Sequence, residues 1–137
     1  MTMSAEDKAA LSEIRMQKAY QFLDDAKSNL AESRLSTAIN RSYHAAFGAV
    51  RALLILEGID PESHAGAVTM LSLRFVRPGT IDRKVVRNFK TLQSRRSDAD
   101  YGDFETVETS DASDSVGVSE AILAEVDTVR KALIAEM

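Results

Sequence analysis

The chain has 137 residues, enough for one domain with a real core and no need of covalent staples. It has no cysteine, which excludes disulfides and thiolate metal sites and fits a cytoplasmic protein. A net charge of −4, from 17 basic and 21 acidic residues, argues against a uniformly basic nucleic-acid binder and leaves only a local basic patch for that purpose.

Residues 5–31 contain neither Gly nor Pro and repeat Met16, Ala19, Tyr20, Leu23 and Leu30 at helical spacing, so they predict a first helix, with residues 1–10 expected to fray. The opening MTMSAEDK has no basic segment leading into an apolar one, and no apolar run is long enough to span a bilayer. After a short turn at 32–36, a second helix runs to about Glu57 with the stripe Leu35, Ile39, Tyr43, Phe47, Val50 and Leu54, and stops at Gly58. Asp60-Pro61 reads as an N-cap followed by a first helical residue. The third helix would then carry His64, Val68, Leu71 and Phe75 on its inner face until Pro78-Gly79 breaks it. Thr80 is a candidate cap for a fourth helix reaching about Asp100, with Asp82 in its first turn. Residues 101–110 read as a loop ordered by Tyr101 and Phe104. A fifth helix begins at Ser110 or Asp111, striped by Val118, Ile122, Val126, Val129 and Leu133.

No stretch alternates with the period of a strand. Long amphipathic helices joined by short connections imply an all-α, antiparallel up-and-down bundle of four to five helices, in a single domain over 1–137.

Three features carry chemical interest. Along the fourth helix, Val85, Phe89 and Leu92 continue to Arg96, which puts Arg96 on the inner stripe, while Arg95 falls on the solvated face. A charge on that stripe needs a partner, and Asp100 one turn on supplies one, within the helix or across an interface. With Tyr101 beside it, Arg96, Asp100 and Tyr101 form a candidate polar cluster. On the second helix, Arg41, His44, Gly48 and Arg51 share one face, bordered by Asn40; this is either a polar outer face or an anion-facing groove. His64 opens the third helix, as a core histidine or as part of an anion site. Two histidines without a ligand pair at metal spacing predict no metal, and nothing predicts a cofactor. Arg74, Arg77, Arg83, Lys84, Arg87, Lys90, Arg95 and Arg96 concentrate positive charge between 74 and 96.

The strings AINRSYHAAFGAVRALLILEG at 38–58, SHAGAV at 63–68, FVRPGTI at 75–81 and RRSDADYGDF at 95–104 resemble the HEPN family, in its small stand-alone prokaryotic branch. The resemblance covers roughly residues 19–134. It implies an all-α bundle, a homodimer, and a partnership with a minimal nucleotidyltransferase in a toxin–antitoxin module acting on or binding RNA or nucleotides. Active members are metal-independent RNA-cleaving toxins with an Arg followed after four to six residues by His. Here Arg96 matches that arginine, whereas Tyr101 stands where the histidine would be. A phenol holds its proton at neutral pH and is a poor base. The position two residues further on, where some toxins carry a tyrosine modified with adenylate, is Asp103. Three roles follow for the cluster: a toxin-like nuclease, a non-catalytic binding or adaptor module, or a structural salt bridge between Arg96 and Asp100. Small residues at Ala45–Ala46 and Gly48–Ala49 add a face on which a dimer could pack closely.

Overall fold

The structure is a computed structural model and describes residues 2–102 and 107–137. Among these residues there are five α-helices and no strand. They are α1 (Ala5–Ala31), α2 (Leu35–Leu54), α3 (His64–Leu71), α4 (Arg83–Tyr101) and α5 (Thr109–Ala135). None is long and apolar enough to cross a membrane.

Local chemistry sets the ends. The Ser4 hydroxyl accepts from Asp7 N–H at 3.0 Å and caps α1. A 3₁₀ turn, Ile55–Glu57, extends α2 to Gly58, whose φ of 76° belongs to the left-handed region that glycine adopts without a Cβ clash. The third helix starts later than Asp60-Pro61 suggests. Its cap is Ser63, whose hydroxyl accepts from Gly66 N–H at 3.0 Å, and Asp60 is occupied elsewhere by two arginines. It also ends early, giving way at Ser72–Val76 to a π-turn that returns the chain through Gly79 (φ 86°). At α4 the cap is Asp82 rather than Thr80: its carboxylate accepts from Lys84 N–H at 2.9 Å.

The arrangement centres on α2, which packs against α1, α3, α4 and α5. A helix covered on so many sides needs more than one apolar stripe. Its buried residues accordingly include Ala38, Ala45, Ala46, Ala49 and Ala52 as well as Ile39, Tyr43, Val50, Leu53 and Leu54. The alanines let neighbouring helices come close. Gly48 serves the same end, since a Cβ there would meet the Ala19 Cβ of α1 at 3.4 Å. The small-residue face expected to serve a dimer is therefore used up inside the chain. Core side chains from α3, the π-turn and α4, among them Leu71, Phe75, Val85, Phe89 and Leu92, close the bundle on one side of α2.

Buried polar groups tie α5 to the rest. Ser119 donates to the Ser42 carbonyl of α2 at 2.7 Å, while Ser12 of α1 donates to the Ala52 carbonyl of α2 at 2.6 Å and so joins those two helices. Arg130 is almost sealed from solvent. Its Nε donates to Asp127 Oδ1 at 2.9 Å, and its other nitrogens reach Glu13 at 3.0 Å and Ser12 at 3.3 Å. Tyr20 donates to the second Asp127 oxygen at 2.9 Å. Burial alone would raise the Asp127 carboxyl, but hydrogen bonds from Tyr20 and Arg130 outweigh it and hold the group below the usual carboxylate range. The apolar periodicity of α5 gives no hint of this network.

Candidate functional site

The cleft around Arg96

A cleft of about 310 Å³ opens where α2, the start of α3 and α4 meet, lined by Tyr43, His44, Phe47, Glu62, His64, Gln93 and Arg96. Each wall follows from a local feature. The helical period of α4 brings Gln93 and Arg96 to the same side, α2 presents Tyr43, His44 and Phe47, and the Ser63 cap fixes His64 in the first turn of α3.

Arg96 sits as its periodicity predicts, on the inner stripe and a quarter exposed. Its guanidinium carbon lies 5.3 Å from the centre of the Tyr43 ring. Nε is 3.2 Å from Asp100 Oδ2, an ion pair one turn along the helix. That contact is not aligned as a hydrogen bond, so the buried Nε–H has no hydrogen-bond partner among the described residues. Asp100 also accepts from Asn40 Nδ2 at 3.4 Å, and Asn40 Oδ1 accepts from Arg41 at 3.1 Å.

Both histidines come to this place. The Tyr43 hydroxyl and His64 Nδ1 are 3.1 Å apart, and the His64 ring lies 4.6 Å from that of Phe89. Burial, reinforced by the charge of Lys90, lowers the His64 pKa below its ordinary value. For His44 the causes are burial, then the charges of Arg96 and Arg41. Burial pushes the Tyr43 phenol up to about 12, against a smaller opposite pull from Arg96. A proton held on Tyr43 and a neutral His64 fit a bond in which the phenol donates to the imidazole. With its acceptor nitrogen taken by Tyr43, neutral His64 keeps an Nε2–H, so a cationic guanidinium, that donor and neutral His44 suit an anion with one proton acceptor beside it.

Where the other candidates lie

Tyr101 does not join this group. It is the last residue of α4, 74% exposed, with no side-chain hydrogen bond among the described residues. The expected packing of Tyr101 with Phe104 in the following loop, and Asp103, lie outside the described residues. Arg95, expected on a solvated face, is paired instead: it donates to Asp114 at 2.6 Å and to Ser115 at 3.2 Å across to α5.

The face formed by Arg41, His44, Gly48 and Arg51 is half-buried rather than outward. Arg41 covers the Phe22 ring at 5.8 Å. Arg51 lies one cavity further along, over Phe47 at 5.9 Å, and donates to Asp60 at 2.9 Å. Asp60 also binds Arg15, at 2.9 and 3.2 Å, and hydrogen bonds from Arg15, aided by Arg51, hold its carboxyl below the ordinary range despite partial burial.

The basic stretch divides in the same way. Arg74, Arg95 and Arg96 have acidic partners. Arg83, Arg87 and Lys90 share a separate groove of about 510 Å³ floored by Val76 and Val86. Periodicity alone missed Tyr43, read as plain core, and Gln93. It also missed Arg15, Lys18 and Phe22 on α1, although their spacing of three and four was legible as a shared face.

Family and relatives

A five-helix bundle with an inward arginine and two histidines in one cleft defines the class: an all-α protein with a charged cleft between helices. The HEPN domain matches residues 12–129, and the chain belongs to that family. It is similar to a "UPF0332 protein" of Thermotoga maritima, 30% identical over 117 residues, covering 85% of this chain and 89% of the relative. A Methanocaldococcus jannaschii protein named "Putative toxin MJ0605" is 29% identical over 101 residues, covering 69% of this chain and 75% of the relative. The crystal structure of TT1696 from Thermus thermophilus has the same fold, with a TM-score of 0.74 at 18% identity, covering 86% of this chain and 97% of that one.

Proposed function

We propose that this protein is a toxin-like HEPN protein that grips a phosphate of RNA or of a nucleotide at Arg96. The carrying observation is the state of Arg96. It lines the cleft, a quarter exposed, with its guanidinium over Tyr43 and a single acidic partner, Asp100, among the described residues. A phosphate oxygen entering the cleft would pair with the Arg96 guanidinium that lines it, beside the neutral imidazoles of His44 and His64. Glu62 lines the same cleft and opposes an anion there, so Arg96 has to outweigh it.

The name of the Methanocaldococcus relative supports the toxin-like role, and the sequence resemblance supports a minimal nucleotidyltransferase as partner. The resemblance also supports a homodimer. Calorimetry with AMP and with a short single-stranded RNA tests the site: binding at neutral pH, weakened at least tenfold by Arg96→Ala, is expected. Equal binding by wild type and variant refutes it. Co-expression with an adjacent nucleotidyltransferase, followed by affinity purification, tests the partnership.

One observation favours a second reading, metal-independent RNA cleavage. His44 and His64 line the Arg96 cleft even though the motif position after Arg96 holds Tyr101. In that reaction the 2′-hydroxyl attacks phosphorus as a neutral histidine takes its proton. The P–O5′ bond breaks, the imidazolium so formed returns that proton to the departing O5′, and a 2′,3′-cyclic phosphate remains. Cleavage in EDTA that survives Tyr101→Phe and is lost in Arg96→Ala and His44→Ala is the expected pattern. RNA left intact by the wild type leaves the binding module alone.

A further inference from the structure

We infer that the Arg96 cleft is one half of a longer trough, built to hold two consecutive phosphates of single-stranded RNA with a base between them; this rests on the reading of Arg96 as a phosphate ligand. A second cavity, of about 350 Å³, is lined by Arg15, Lys18, Ala19, Phe22, His44, Phe47, Gly48 and Arg51. It shares His44 and Phe47 with the Arg96 cleft, so the two adjoin across that aromatic pair. From His44 to Arg51 the trough follows two turns of α2, about 10 Å at the rise of an α-helix. That length exceeds the reach of one phosphate.

The far half has the second charge. Arg15 and Arg51 share Asp60, whose carboxylate offsets one of their two charges. Lys18 is exposed and makes no ion pair among the described residues, so this end stays cationic. The buried Arg51 Nε–H has no hydrogen-bond partner among the described residues, the same condition as Arg96 at the near end. Between the two ends lie rings, each with one guanidinium near it: Arg41 at 5.8 Å from Phe22 and Arg51 at 5.9 Å from Phe47. Phe22 and Phe47 are only partly buried, and the Phe22 and His44 rings stand 5.7 Å apart. Gly48 places bare backbone on the trough wall, and the contact a Cβ would make there is with α1. Cations spaced along a groove with partly buried aromatic rings between them suit a flexible strand, which offers a phosphate, a base face and a second phosphate in turn. A duplex, with its bases stacked inside, offers no such face.

The test compares two ligands that differ by one nucleotide, AMP and the dinucleotide pApA, by calorimetry on the full chain. The dinucleotide should bind about tenfold more tightly. Lys18→Gln or Phe22→Ala should collapse that ratio to near one, and Lys18→Gln should also lower the dependence of pApA binding on log salt by about one. Lys18 is exposed, so its variant remains informative if Phe22→Ala fails to fold. Equal affinity for the two ligands, or a ratio untouched by Lys18→Gln, overturns the inference while leaving the Arg96 site intact. Absence of binding by both ligands removes the Arg96 reading and this inference together. A change in sedimentation mass with Lys18→Gln, at unaltered pApA affinity, would give the trough to a second copy of the chain and overturn the inference as well.

Discussion

Arg96→Ala separates a ligand-binding arginine from a structural one. The ion pair it loses is a quarter exposed at each end and one helical turn long, which contributes about 0.5 kcal/mol. The contact with the Tyr43 face contributes about 1 kcal/mol, and the aliphatic stem about as much again. Against these stands the buried Nε–H without a hydrogen-bond partner, whose removal recovers about 1 kcal/mol or more. The variant should therefore lose only about 1 kcal/mol. In urea, followed by far-UV circular dichroism, the midpoint should move by about half a molar with the slope unaltered. A structural salt bridge in the core would instead cost about 3–5 kcal/mol on losing one partner. A loss of that size would refute the reasoning, because Arg96 would then belong to the stability of the fold.

Arg130→Ala should show the opposite behaviour: its guanidinium is nearly sealed and carries Asp127, Glu13 and Ser12, so the loss should be about 3–5 kcal/mol, and calorimetric melting should fall by about 10 °C or more. The histidines make stability depend on pH. Their folded pKa values lie below the ordinary 6.5, so the unfolded chain binds protons first, and stability is complete above that value and falls as the pH drops through it toward the folded values. Urea midpoints measured between pH 8 and 5 should show this slope, and His64→Gln should flatten it in part. In Arg96→Ala the His44 titration, followed by NMR, should move upward, since the Arg96 charge is one cause of its depression. Gly66→Ala should cost about 1 kcal/mol or more in thermal melts, because the new Cβ would lie 3.0 Å from the Ser63 hydroxyl that caps α3 and 3.3 Å from Pro61.

Much of this molecule could be read along the chain, and the reason is local. Apolar spacing of three and four determined the helices, Gly58 determined the stop of the second, and the same spacing turned Arg96 inward and Arg95 away from it. Where one residue type serves two purposes, position along the chain does not determine its partner. Asp60 before Pro61 has the chemistry of a cap, yet Arg15 and Arg51 claim its carboxylate and Ser63 takes the cap. Arg95 lies off the apolar stripe, but α5 stands beside it with Asp114. Small residues on α2 suit any close helix, and the helix they meet is α1.

By itself, then, the sequence determined the class of fold, the order of the helices and the inward arginine, because each depends on a repeat within a few turns of one chain segment. Only the tertiary structure decided which groups share a cleft. It brought His44 from α2 and His64 from α3 to Arg96 on α4, left Tyr101 in solvent, and set Arg15 and Lys18 of α1 in an adjoining cavity that shares His44 and Phe47. A helical period records which side of a helix is buried, but not which neighbour covers it or at what height. Those are set by how the side chains of adjacent helices interlock, and that information is spread over residues as distant in sequence as Phe22 and Arg96.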